Sequence, residues 1–210
     1  MPPKTRPELP DGRWLIVLAG SNGSGKSTFF DLYLRPRGFR FVNADLIAAG
    51  IAGGDPATLA YRAAELADIE RRALIARGDT FVMETVFSDP HGAKLGLLRD
   101  AQDAGYHVAF LFIGIDGPEL SSARVAQRVA LGGHDVPDEK IIARFPRTLA
   151  NAIAALRIAD AGWLFDNADA EHPYRLVATT RDGRLVERHP PIPAWCRKLT
   201  RGLAPTRPAR

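Results

Sequence analysis

The run Gly20-Ser21-Asn22-Gly23-Ser24-Gly25-Lys26-Ser27-Thr28, directly after the apolar stretch RWLIVLAG (13–20), constrains the fold more than any other feature of the chain. It fits G-x-x-x-x-G-K-[ST] at every fixed position. A short apolar run ending in glycine suits a strand buried on both faces of a parallel sheet. The segment GKSTFFDLYLR (25–35) then suits a helix, with Pro36 and Gly38 to end it. Between the two, glycines let the backbone curl so that successive N–H groups point inward at phosphate oxygens. The helix start adds the positive end of its dipole. Lys26 brings a compact positive charge to β- and γ-phosphates, and Ser27 a hydroxyl to Mg²⁺. Gly20 to Thr28 are therefore the expected site for ATP with Mg²⁺.

The rest of the chain alternates strand and helix. Strands are expected at FRFVNAD (39–45), TFVMET (80–85) and YHVAFLFIGID (106–116). Helices are expected over 55–76, 90–105, 118–131 and about 138–160, the first with Asp55 as N-cap and Pro56 in its first turn. GWLFDNAD (162–169) and the following PYRLVATTRDGRLVERH suggest a late strand and a hairpin turning at Asp182-Gly183. This order predicts an α/β fold: a three-layer P-loop NTPase with a mostly parallel central sheet, an arginine-bearing helical lid and a C-terminal hairpin. Residues 1–12 are expected to be a flexible lead-in, 13–190 the P-loop domain with its lid at about 124–147, and 191–210 a basic C-terminal tail.

Composition narrows the function classes. The 210 residues carry 28 Lys and Arg against 24 Asp and Glu, a net charge of +4. Much of the excess lies near the ends (Lys4, Arg6, Arg13, Arg197, Lys198, Arg201, Arg207, Arg210), where solvated tails are the plain expectation. No basic stripe with interleaved aromatics marks a nucleic-acid surface. The apolar runs are far shorter than the ~20 residues of a membrane span. The Pro-rich N-terminus lacks the apolar core of a signal peptide. Cys196 is the single cysteine, which excludes an internal disulfide and fits a reducing, cytoplasmic setting. The five histidines have no zinc-ligand spacing.

Ligands of open α/β sheets bind outside the carboxyl ends of the strands. Three strands here are expected to end in a carboxylate: Asp45, Glu84 and Asp116. Asp45 is the candidate base that takes the proton of an attacking hydroxyl. Glu84 is placed to orient that acceptor or to support the Mg²⁺ shell. Asp116 is a candidate metal support, with helix capping as its bland alternative. Arg124 and Arg128 share one helix face, as do Arg144 and Arg147 on the next helix. The loop LGGHDVPDE between them (131–139) suggests a lid carrying guanidinium groups to a transferring phosphoryl group. His134 in that loop is a candidate phosphate or substrate contact.

Taken together, GSNGSGKSTF, FVNADLIAAG, METVFSD, ARVAQRVALGGHDVP, IIARFPRTL and FDNAD resemble, in that order, the zeta toxin-like kinases, also labelled predicted ABC-type ATPases. The resemblance runs from about Trp14 to Asp169. It implies transfer of the ATP γ-phosphate to a hydroxyl of a small-molecule acceptor, UDP-N-acetylglucosamine in the zeta toxins. It also implies Asp45 as base, Glu84 at the sugar, Arg124, Arg128 and Arg144 at the transition state, and Asn167 near the nucleotide base. An antitoxin protein is an implied candidate partner. A nucleoside or polynucleotide 5′-hydroxyl kinase would use the same residues. A mechanical or switch ATPase fits less well, because LGGHD is not the LSGGQ-like signature and Gly117, not glutamate, follows Asp116.

Overall fold

The computed structural model describes residues 9–204. Most of the expected lead-in (1–8), with Lys4 and Arg6, and the chain end with Arg207 and Arg210 lie outside the described residues. The apolar run before the phosphate loop is strand β1 (Trp14–Ala19), buried at all six positions. It can be apolar throughout because it is covered on every side. Parallel neighbours β3 (Phe81–Thr85) and β4 (His107–Gly114) flank it, and helices cover both faces.

The sheet has seven strands in the order β2-β3-β1-β4-β5-β6-β7. β2 (Arg40–Val42) and β5 (Ala161–Asp166) are parallel to their inner neighbours. β6 (Arg175–Arg181) and β7 (Arg184–Arg188) complete one edge as an antiparallel hairpin, turning at Asp182 and Gly183 as expected. The chain leaves β1 for the edge strand β2, returns to β3 and crosses to β4 on the other side. The topological switch point therefore lies at the carboxyl end of β1, where the phosphate loop begins.

Alternate residues of β1 serve different layers. Leu15 and Val17 pack with Leu74 of α3 (Pro56–Arg77), Leu97 of α4 (Ala93–Asp103) and Leu149 of α6 (Asp138–Ile158). Ile16 and Leu18 face the opposite layer, with Phe29 at the end of α1 (Lys26–Phe29) and Phe30 and Leu34 beyond it. α1 runs on through a π-helical turn (Phe30–Leu34) and a 3₁₀ turn (Arg35–Arg37), closed at Gly38. The expected N-cap of α3 is present: the Asp55 carboxylate accepts the Thr58 N–H at 3.1 Å.

Two expectations need correction. The strand expected over 39–45 stops at Val42. The Asn43 side chain accepts the N–H groups of Asp45 and Leu46 and so starts a short helix, α2 (Ala44–Ala49). Asp45 thus stands in a first helical turn, not at a strand end. The expected basic tail is also not a tail where the structure describes it. α7 (Ala194–Thr200) buries Trp195, Cys196 and Leu199 against the core and turns Arg197 and Lys198 outward. The packed domain therefore extends through the buried Leu203.

Candidate active site

The phosphate loop is held open by neighbours that leave no room for side chains. Gly25 has φ 92°, and a Cβ there would lie 2.6 Å from Asn167 Nδ2 and 2.8 Å from the Tyr174 hydroxyl. Gly23 has φ 67°, and its Cβ would meet the Ser121 carbonyl at 2.9 Å. Both contacts and both left-handed angles require glycine. The Tyr174 hydroxyl donates to the Gly25 carbonyl at 2.9 Å, and the Asn167 amide donates to the Ser24 carbonyl at 2.8 Å. On the other flank, the Ser121 hydroxyl of α5 (Gly117–Ala130) donates to the Asn22 carbonyl. The loop is therefore shaped before any ligand arrives.

Within it, the Lys26 ammonium donates to the Ser21 carbonyl at 3.0 Å and stands 3.9 Å from Glu84 Oε1. Burial pulls its pKa below the ordinary lysine value, Glu84 and Asp45 oppose that shift, and Arg128 adds to it. The Ser27 hydroxyl donates to Glu84 Oε2 at 2.9 Å, and Asn43 Nδ2 donates to the same oxygen at 2.9 Å. Glu84 at the end of β3 thus ties the lysine and serine of the loop to the start of α2.

A cavity of about 520 Å³ opens over these groups. Asn22, Gly23, Gly25, Lys26, Ser27 and Thr28 line it at one side. Asp45 and Glu84 also face it, as do Arg124 and Arg128 from α5 and Arg144 from α6. The Arg124 guanidinium donates to the Ala168 carbonyl at 3.2 Å, and Arg128 to the His134 carbonyl at 2.6 Å. α5 rests directly on the phosphate loop through Ser121, so its arginines reach the cavity without a swing.

This arrangement fits a nucleoside triphosphate with Mg²⁺. The buried Asn22 Oδ1 and Ser24 Oγ have no hydrogen-bond partner within the protein. The Ser27 hydroxyl, exposed at the loop end beside a carboxylate, is the ligand such a metal uses, together with phosphate oxygens and water. Among the described residues no group of three or more His, Cys, Asp or Glu could hold a metal by itself.

Several expected site residues stand elsewhere. Asp116 is exposed at the N-cap of α5, makes no capping hydrogen bond and does not line the cavity. β4 ends at Gly114, and the chain has already turned into the helix. The His134 side chain is exposed and outside the cavity lining, as is Arg147. Asn167 is buried behind the phosphate loop, where it accepts the Tyr174 N–H and holds Ser24. It supports the loop rather than lining the cavity.

Other residues that reach the site were not singled out as site residues by the sequence. The loop after β3 (86–89) lines the cavity, and Phe87 takes φ 60° there. α6 fixes that loop: the Thr148 hydroxyl donates to the Val86 carbonyl at 2.9 Å, and the Asn151 amide to the carbonyls of Phe87 and Asp89. Partial burial raises the Asp89 pKa, but N–H groups of His91, Lys94 and Ala93 outweigh it and hold the carboxyl below its usual range. Arg71 of α3 and Lys94 of α4 complete the lining. Residues 86–89 belong to METVFSD and Thr148 to IIARFPRTL, whereas Arg71, Lys94 and Asn151 sit in no recognisable motif. They meet only because α3, α4 and α6 pack on one face of the sheet.

Residues 15–149, well over half of the chain, match the family model described as an AAA domain. An uncharacterized protein of Haemophilus influenzae is 29% identical over 144 residues, 62% of this chain and 91% of its own length. Among solved structures, a chain of the AvrRxo1-ORF1:-ORF2 complex superposes with a TM-score of 0.63 at 20% identity, over 83% of this chain and 60% of that one. The same complex with ATP gives 0.58 at 20% identity, over 84% and 60%. A chain of the PezAT chromosomal toxin–antitoxin system of Streptococcus pneumoniae gives 0.62 at 16% identity, over 80% of this chain and 72% of that one. At these identities the structures establish a shared α/β fold, and this chain spans about 60% of its AvrRxo1 neighbour. On the match over 15–149 and the phosphate loop at its start, the chain belongs to the AAA domain family of P-loop proteins.

Proposed function

We propose that the protein is an ATP-dependent phosphotransferase that moves the γ-phosphate of ATP to a hydroxyl group of a small-molecule acceptor. One observation carries this reading. The carboxylate of Asp45 opens onto the same cavity as Lys26 and Ser27, and that cavity continues to the 86–89 loop, α3 and α4, beyond anything a triphosphate grip needs. A protein built only to hydrolyse ATP has no use for that second half.

In this reading the phosphate loop and Lys26 hold the β- and γ-phosphates. Mg²⁺, held through Ser27 with Glu84 behind it, would supply further neutralisation of the phosphate oxygens. Asp45 accepts the proton of the acceptor hydroxyl as the new oxygen–phosphorus bond forms and the bond to the ADP oxygen breaks. Arg124, Arg128 and Arg144 offset the charge on the transferring group. Glu84 already accepts two hydrogen bonds on one oxygen, so its part is to set Ser27 and Asn43. Its other oxygen, Oε1, stands 3.9 Å from the Lys26 ammonium and is open to a sugar hydroxyl, so contact with a sugar needs no release of Ser27 or Asn43.

UDP-N-acetylglucosamine is the first acceptor to try, on the resemblance to the zeta toxins. ATP turnover should be slow with the protein alone and rise with the correct acceptor. Fast hydrolysis that no acceptor alters would contradict the proposal. An antitoxin partner belongs to the same reading. Induced expression should then slow growth and Asp45→Asn should relieve it, whereas harmless high expression would argue against such a partner.

A further inference from the structure

We propose that Arg71 and Lys94 form a second anion subsite, which holds a phosphate group already present on the phosphoryl acceptor. This rests on the phosphotransferase reading and narrows its substrate class to phosphorylated small molecules.

Arg71 is an unusual side chain for a helix surface. It is only 2% exposed, yet it lines the cavity. Its Nε and Nη1 have no hydrogen-bond partner. The nearest carboxylate is Asp68, at 3.9 Å from Nη1. Asp68 is engaged more closely by Arg72, whose Nε donates to it at 3.0 Å. Arg71 is therefore a buried cation with a weak and shared counter-charge, an arrangement that costs stability unless an anion completes it. A guanidinium presents a planar fork of donors that matches phosphate oxygens.

Lys94 faces the same cavity from α4. Burial lowers its pKa first, and the nearby Arg71 charge lowers it further, so the two cations repel each other across the site. Asp68 and Asp89 oppose the shift but do not outweigh burial and Arg71, and Asp89 turns its two oxygens to the N–H groups of His91 and Lys94 at 3.0 and 3.1 Å. Two positive groups thus converge on one cavity while the local carboxylates are committed elsewhere. They come from α3 and α4, whereas the cations over the phosphate loop come from the loop itself, α5 and α6. The triphosphate already has its own partners, and a second anion is what the remaining pair suits. Thr85 and Ser88, also in the lining, offer hydroxyl donors to the same group.

The test uses the full chain saturated with a non-hydrolysable ATP analogue and Mg²⁺, so that the phosphate loop is filled. Inorganic phosphate is then titrated in by calorimetry, with acetate as the carboxylate control. One further phosphate site per chain is expected, weakened about tenfold or more in Lys94→Met and in Arg71→Lys, with analogue affinity changed by less than about twofold. Lys94 is half-exposed, so Lys94→Met decides the question even if the Arg71 variant folds poorly. In transfer assays Lys94→Met should raise KM for a phosphorylated acceptor and leave KM for ATP unchanged. Absence of the second site, binding that neither variant weakens, or tighter binding of acetate than of phosphate would overturn the proposal. The titration needs no turnover. Absent transfer with an intact phosphate site would count against the phosphotransferase reading alone, and intact transfer without the site against this inference alone.

Discussion

The two halves of the cavity are built on opposite principles. Around the phosphate loop, the shape is settled in advance. Asn167 and Tyr174 hold Ser24 and Gly25 from behind, Ser121 holds Asn22, and Lys26 is already curled onto Ser21. Across the cavity, Asp45 is exposed, Arg71 lacks partners for two of its nitrogens, and the 86–89 loop depends on two side chains of α6. A grip for a constant ligand is made rigid by contacts to the fold's core. The opposite wall leaves Arg71 without close partners, as expected where the ligand itself must complete the site.

This contrast can be broken most sharply by paired substitutions. Asp45→Asn should lower the transfer rate by about 10²–10⁴-fold, the range for a lost general base, with ATP affinity unchanged. Lys26→Ala should instead weaken ATP binding and transfer together. Equilibrium nucleotide binding beside single-turnover transfer separates the two, and equal effects on both readouts would erase the distinction between the halves.

Next in size, Asn167→Ala removes the buried donor to the Ser24 carbonyl and should cost about 1–3 kcal/mol of stability. Thermal unfolding should show this as a lower Tm, with a raised KM for ATP. The preference for ATP over GTP should not move. A changed preference would restore Asn167 as a contact to the nucleotide base.

Thr148→Val should act on the other half. Losing its hydrogen bond to Val86 should cost about 1 kcal/mol, raise KM for the acceptor and leave KM for ATP untouched. The smallest expected effect is at Cys196, outside both halves. Burial pushes its thiol up to about 11 from an ordinary value of 9.0. The folded thiol should therefore resist alkylation at pH 8 and react only on unfolding. Because the folded pKa is the higher one, its contribution to stability is intact below about pH 9 and declines as pH rises toward 11.

The same contrast decides what was legible in the sequence. The phosphate loop is a local pattern, with strand, turn and helix consecutive in the chain, so nine neighbouring residues announce it. Asp45 and Glu84 follow from the rule that ligands gather at strand ends, although Asn43 moved Asp45 into a helix by capping it. Asn167 was expected near the nucleotide base, and the structure shows it supporting the phosphate loop. Its bond to Ser24 joins residues 143 positions apart, and nothing local tells a loop support from a base contact. Asp116 was misplaced because an apolar run does not show that β4 stops at Gly114. Arg71 was invisible, since in DIERRALIA it looks like any solvated helix charge, whereas the fold leaves it 2% exposed at the cavity. α7 was missed because the basic Arg197, Lys198 and the following Arg201 outweighed the pattern of Trp195, Cys196 and Leu199 that buries it.

The central claim is that the γ-phosphate goes to a hydroxyl and not to water. Terminally labelled ATP, Mg²⁺ and the protein, incubated with a panel of small molecules that includes UDP-N-acetylglucosamine and other phosphorylated compounds, test it directly by mass spectrometry of the products. The account predicts the label on a hydroxyl of one acceptor, lost in Asp45→Asn. Label found only in inorganic phosphate, in the same amount with every acceptor and with either protein, would contradict it.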